Sequence, residues 1–322
     1  MNRRFWLFLM VMICFAAIAM SLFIGSTWIP ASTVVAAIAG QAAGPETTII
    51  HSIRLPRALV AAIVGAGLGA AGATLQGFTR NPLAAPGLLG FSACAALGAV
   101  LALYFNFPNF VTPTAIAFAL IGALAMTIFS RRKPGASGLI LAGIGIGALA
   151  TAVTGLVMNF APNPWALSEL VYWLMGSLKN ADKMDVLIAG PLTLIGCGLL
   201  FLTGPALRGL GLGEETAQSL GISVQRTQWL VVLGCALCIG SGVAVAGAIG
   251  FVGLFVPHIL RFLTQADEAW LIPLSALGGA GFLILIDSLI RATSGPGTPL
   301  YLGIVTSLIG VPFFLWLAWR QS

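Results

Sequence analysis

The chain has 322 residues, of which 59% are hydrophobic and only 7% charged, with a mean hydropathy of +1.03. This lies far beyond the roughly half-apolar composition of a soluble domain and identifies a polytopic membrane protein. The net charge of +6 comes from Lys and Arg scattered between apolar runs in no continuous stripe, which excludes a nucleic-acid-binding surface.

A helix of about 20 apolar residues crosses ~30 Å of hydrocarbon, so the length allows about ten spans. The first is predicted near 5 to 25. Its apolar run is longer than the roughly 7 to 15 residues of a secretory signal and lacks a convincing cleavage site, which points to an uncleaved helix. Ser26 to Ser52 is a long connection in which Ser32 to Ala39 can form a surface helix. The second span, near 58 to 77, places Gly65, Gly69 and Gly72 along one smooth face suited to close packing. Spans near 88 to 105, 112 to 130 and 136 to 158 follow. A second long connection, Asn159 to Asp182, carries Trp165, Tyr172 and Trp173, as an amphipathic segment at a membrane interface would. Spans near 184 to 203, 228 to 247, 250 to 264, 271 to 291 and 301 to 319 complete an all-α helical bundle of about ten helices. One membrane domain, residues 1 to 322, accounts for the whole chain.

Alternating the spans sorts the fifteen basic residues unevenly. Arg3, Arg4, Arg80, Arg131, Arg132, Lys133, Arg208, Arg226, Arg261 and Arg320 fall on one side. Arg54, Arg57, Lys179, Lys183 and Arg291 fall on the other. The positive-inside rule then puts both termini in the cytoplasm.

Missing motifs narrow the function. None of the lysines, Lys133, Lys179 and Lys183, follows a glycine, so no Walker A phosphate cradle exists in this chain. Neither H-E-x-x-H nor G-x-S-x-G occurs, and an enzyme reading has almost nothing to stand on. The five cysteines, Cys14, Cys94, Cys197, Cys235 and Cys238, all lie in apolar segments, so the C-x-x-C at Cys235 and Cys238 reads as packing, with no metal site. Of the acidic residues only Asp287 lies clearly inside a span. Arg291, one turn onward, is its expected ion-pair partner, the other reading being a proton relay. An ion-coupled secondary transporter is therefore poorly supported, and energy is expected from a partner; a static structural membrane protein is the third reading.

Leu207 to Arg226 (LRGLGLGEETAQSLGISVQR) is a polar island between apolar runs. Glu214 and Glu215 open a short helix, Thr216, Ala217 and Leu220 can share a face, and Gly221 supplies a stop. Such a helix shown to the cytosol is either a docking element or a solvated loop. On the other side, IRLPR (Ile53 to Arg57) starts a span with two arginines that read equally as lipid anchors or as a docking site.

Four blocks in order, RLPRALVAAIVGAGLGAAGATLQGFTRNPLAAPGLLG, LGEETAQSLGI, GFVGLFVPHILRFL with IPLSALGGAGFLILIDSLIR, and LGIVTSLIGVPFFLWL, resemble the FecCD or BtuC type permeases of ABC importers for iron siderophores, haem and vitamin B12. The resemblance runs from about Arg54 to Trp316. It implies a type II ABC importer permease in the inner membrane, a homodimer with one path between its subunits. Two cytoplasmic ATP-binding subunits would carry ATP and Mg, this chain binding no cofactor, and a periplasmic binding protein would deliver the cargo. An iron-siderophore complex is the expected substrate, with haem or cobalamin as alternatives. By motif, Arg54, Arg57 and Arg291 would meet acidic groups of the binding protein. The segment from about 213 to 221, with Glu214, Glu215, Thr216, Ala217, Leu220 and Gly221, would be the coupling helix seated in the ATPase. Where such permeases carry a Glu-Leu-Pro-Val-Gly-like run, Pro299 to Gly303 reads PLYLG, which puts the local contacts there in question.

Overall fold

The computed structural model describes residues 3–25, 27–41, 44–131, 135–293 and 300–321. Its helices are α1 (Arg3–Phe23), α2 (Ala31–Ile38), α3 (Pro45–Ile49), α4 (Leu55–Thr79), α5 (Phe91–Tyr104), α6 (Val111–Ser130), α7 (Ala136–Asn159) and α8 (Pro164–Leu174). They continue with α9 (Lys183–Leu202), α10 (Gly204–Leu210), α11 (Glu214–Ser219), α12 (Val224–Ala246), α13 (Val252–Thr264), α14 (Glu268–Thr293) and α15 (Leu302–Gln321). A π-helical turn, Ile50–Arg54, joins α3 to α4. The ten expected spans correspond to α1, α4, α5, α6, α7, α9, α12, α13, α14 and α15. The expected surface helix and interfacial segment correspond to α2 and α8. Helices α3 and α10 were not anticipated, because the Gly-Pro at the start of each reads as a turn.

Among the described residues seven helices are long and apolar enough to cross a membrane, while α5, α13 and the Leu302–Leu315 part of α15 are shorter. Helix α13, at about 1.5 Å per residue, rises only ~20 Å. The chain between α12 and α13 supplies the missing depth without helix. Gly247 takes φ +69° and lies against the Trp173 carbonyl and Gly176, Gly250 faces Ser307 of α15, and Phe251 takes φ +65°. Irregular backbone is tolerable within a membrane only where protein surrounds it, and these neighbours surround it here.

Helix α4 is the centre of the bundle: 78% of the apolar window of the α3–α4 segment is buried, against 17% for α7. Its glycines explain how. A Cβ on Gly65 would strike the carbonyl of Gly279, one on Gly69 that of Ser275, and one on Gly72 that of Gly253. Three small residues at helical spacing thus let backbone meet backbone. In lipid, where burial of apolar surface drives nothing between helices, this close van der Waals contact is the source of association. The cysteines pack as expected, all buried, with the Cys197 and Cys238 sulfurs 3.9 Å apart between α9 and α12.

Gly69→Val is expected to destabilise the protein by about 1–3 kcal/mol or more, since carbonyl backbone cannot yield as a side chain can. Gly145→Ala, where nothing lies within 4 Å, is the neutral comparison. Thermal unfolding in detergent checks this, and equal Tm values for the two variants would remove the seam from the account.

Candidate coupling and docking surfaces

At one end of the bundle α10 and α11 form a compact bracket. Gly213 (φ +110°) enters α11, and Gly221 (φ +80°) ends it. Gly221 N donates to Gln218 O at 2.9 Å and Ile222 N to Ala217 O at 3.0 Å, the paired bonds of a Schellman stop. Ile222 then folds back onto Gly209 of α10, where a Cβ would collide with its Cδ1. Ser223 caps α12 by accepting from Arg226 N at 3.2 Å.

This geometry corrects the expected face. Ala217 is fully buried against α10, whereas Leu220 is 63% exposed. Thr216 is also exposed, as are Glu215, Gly221 and, beside them, Leu212. Burying Ala217 is what fixes α11 to its own chain, so the outward surface is Glu215, Leu220 and Leu212. Glu214 turns the other way: its Oε1 lies 3.8 Å from Arg80 Nη2 and accepts from Ala136 N at 3.4 Å.

The rest of this end is tied by ion pairs. Asp267 meets Arg3 at 2.9 Å and Arg208 at 3.0 Å, and Arg261 pairs with Glu268. Arg3, Arg80, Arg208 and Arg261, which the alternation of spans assigns to one side, do converge on one end; Arg132 and Lys133 lie outside the described residues.

The opposite end holds the three arginines expected to meet an outside partner, and the structure turns them inward. Arg54 is 3% exposed and donates to Leu22 O at 2.6 Å and Thr27 O at 2.5 Å. Arg291 donates to Ser21 O at 3.1 Å and Ile24 O at 2.6 Å. These carbonyls belong to the C-terminus of α1 and the turn after it, which has no basic residue of its own in its last turn. The last carbonyls of a helix have no intrahelical donors and form its negative pole, so two guanidinium groups from other helices satisfy them. Gly25 lacks the Cβ that would lie 2.8 Å from the Arg54 guanidinium.

Arg57 grips Asp287. Its Nε lies 3.0 Å from both carboxylate oxygens and its Nη2 2.7 Å from Oδ1. Arg291 Nε is 3.0 Å from Asp287 Oδ2, so the expected pair forms, but Arg57 is the stronger partner. Sequence spacing could not show this partner. Helix register does: Arg57 lies eight residues before Gly65 and Asp287 eight after Gly279, and Gly65 and Gly279 face each other across antiparallel helices.

Near this end, a cavity of about 790 Å³ is walled by Trp165, Tyr172, Trp173 and Tyr301, with Glu169 and Lys179 at its polar parts. The Tyr172 and Tyr301 rings are parallel within 6° at 5.8 Å. Tyr301 of the PLYLG segment is therefore an aromatic contact for α8; Pro299 lies outside the described residues. A second, apolar cavity of about 620 Å³ runs along α15 from Met175 to Pro312. Among the described residues no group of three or more His, Cys, Asp or Glu side chains is arranged to hold a metal ion.

The profile of the FecCD transport family matches residues 12–320. The hemin transport system permease protein of Yersinia pestis is 42% identical over 84% of this chain and 83% of its own. The cobalamin import system permease protein of Halobacterium salinarum is 41% identical over 91% and 79%. The ferric enterobactin transport system permease protein of Escherichia coli is 36% identical over 97% and 94%. A solved ABC transporter in an inward-facing conformation superposes with a TM-score of 0.87 at 31% identity, over 98% of each chain.

Asp287→Ala is expected to cost about 3–5 kcal/mol, because it strands two guanidinium groups in a buried site. Arg57→Lys should lose part of that, since an ammonium cannot make the two-pronged contact. A Tm of Asp287→Ala equal to the parent's would show that the ion cluster holds nothing together.

Proposed function

The chain belongs to the FecCD transport family, as a multi-span permease subunit of an ABC importer and not an enzyme, and we propose that it carries an iron-siderophore complex across the inner membrane as a homodimer. ATP, with Mg, would be bound and hydrolysed on two separate cytoplasmic subunits, and a periplasmic binding protein would deliver the cargo to the aromatic end. The observation that carries this reading is α11: a short polar helix, fixed to its own chain by Ala217 and Ile222, that presents Glu215, Leu220 and Leu212 outward at the basic end of the bundle.

Three further features support it. Asp287 is saturated by two arginines, so it is no candidate for shuttling protons, which argues against an ion-coupled engine. Helix α7 exposes Leu141, Leu149 and Leu156; that apolar face suits a second copy. The excess of basic residues at the α11 end supports a cytoplasmic placement for it and for both termini. Hemin or cobalamin is the second reading for the cargo, favoured by the 42% and 41% identity to permeases named for them.

Leu220→Asp is expected to reduce recovery of the ATPase subunits with the solubilised permease at least tenfold, about the 1.4 kcal/mol that one lost apolar anchor accounts for. Ala217→Glu should instead lower the yield of folded permease. Uptake into proteoliposomes of radiolabelled ferric siderophore, hemin and cobalamin, each in competition with the others, decides the cargo. Full ATPase recovery with Leu220→Asp would refute α11 as the docking element.

The orientation has its own check. A cysteine at exposed Ser52 should react with a membrane-impermeant maleimide on spheroplasts, and one at exposed Ser223 should react only after lysis. Reaction at Ser223 before lysis would invert the scheme.

A further inference from the structure

Helix α7 is the least buried of the seven long spans, and its first turn is held from two sides. Gln228 of α12 donates to Ser130 Oγ at 2.6 Å and accepts from Gly135 N at 3.0 Å, which ties the last residue of α6 and the residue before α7 to α12. Glu214, the first residue of α11, reaches the N-terminus of α7. Its Oε1 accepts from Ala136 N at 3.4 Å, and Gly135 makes room for it: a Cβ there would lie 2.7 Å from Glu214 Oε2, at a φ of +115°. A carboxylate at this position meets the positive pole of α7.

The same carboxylate lies 3.8 Å from Arg80 Nη2. Arg80 is the left-handed C-cap of α4, the most buried helix of the bundle. Both contacts are longer than a normal hydrogen bond, so the carboxylate is shared between the N-terminus of α7 and the C-cap of α4. A small displacement of α11 can commit it to either.

We propose that Glu214 is the positioning residue that transmits movement of α11 to α7, by exchanging its carboxylate between the α7 N-terminus and Arg80. The assignment rests on α11 being the ATPase docking element. With the carboxylate on Ala136 N, α7 follows α11. With it drawn to Arg80, the start of α7 keeps only its Gln228 contact and no longer follows α11, while α4 stays in place. Two discrete partners for one group form the kind of two-state element through which coupling can be carried.

The test uses the permease assembled with its ATPase subunits in nanodiscs, with an environment-sensitive fluorophore on Ile144→Cys, an exposed α7 position off the Leu141, Leu149 and Leu156 face; the five native cysteines are buried. The parent is expected to show an emission shift between the nucleotide-free and the ATP-vanadate state. Glu214→Ala should reduce that shift about fivefold or more, the lower range of an ordinary coupling, while ATPase recovery and permease Tm stay unchanged. Glu214→Gln, which keeps an acceptor oxygen, should restore part of it.

Ala136→Pro removes the N–H at the first helical position, where proline is otherwise favourable, and should reproduce the loss without touching Glu214. A full emission shift in Glu214→Ala or in Ala136→Pro overturns the assignment. So does loss of ATPase recovery in Glu214→Ala, which would make Glu214 a docking contact. If the parent itself retains no ATPase subunits, the functional reading fails, and this assignment with it.

Discussion

The backbone contact between α4 and α14 sets the geometry on which the rest of the bundle depends. Gly65 against Gly279 and Gly69 against Ser275 fix both the distance and the register of two antiparallel helices. Two turns along, that register brings Arg57 onto Asp287, and with Asp287 neutralised Arg291 can give its remaining donors to α1. A buried carboxylate is tolerable in a membrane only when paired, so the glycine seam and the ion cluster are one structural decision.

The two ends of the bundle use charge differently. At the end with Arg54, Arg57 and Arg291, the guanidinium groups turn inward: Arg54 and Arg291 complete the unfinished terminus of α1, and Arg57 closes on Asp287. At the other end the ion pairs are partly exposed: the Arg3 and Arg208 side chains that meet Asp267 are 53% and 45% accessible. Exposed pairs of this kind contribute little to stability and exchange partners readily. Inward-turned charges at one end and exchangeable contacts at the other give the bundle one braced end and one whose ion pairs can rearrange.

Between them, the irregular segment 247–251 shortens α13 and gives depth to the apolar cavity along α15. The cavity exists because helix is replaced there by backbone that α8, α15 and the 175–177 turn enclose: Leu302 N donates to Gly176 O at 3.0 Å and Ser177 N to Ala246 O at 2.8 Å.

The sequence by itself determined the ten apolar helices of the bundle, because apolar runs of span length and Gly or Pro breaks are local signals, but not the short α3 and α10, whose Gly-Pro starts read as turns. It also showed the smooth face of Gly65, Gly69 and Gly72, the stop at Gly221 and the pairing of Asp287 with Arg291, each readable within a few residues. Only the tertiary structure decided what those features touch. Arg54 and Arg57 sit at a helix entry and read as outward charges, yet the acceptors that turn them inward, Leu22 O, Thr27 O and Asp287, lie 27 to 230 residues away. Likewise Ala217 and Leu220 share a face on a helical wheel, but the Schellman stop and Gly209 bury the first and expose the second. Periodicity reports where a side chain sits around its own helix axis; which neighbour meets it is set by packing between helices distant in the chain.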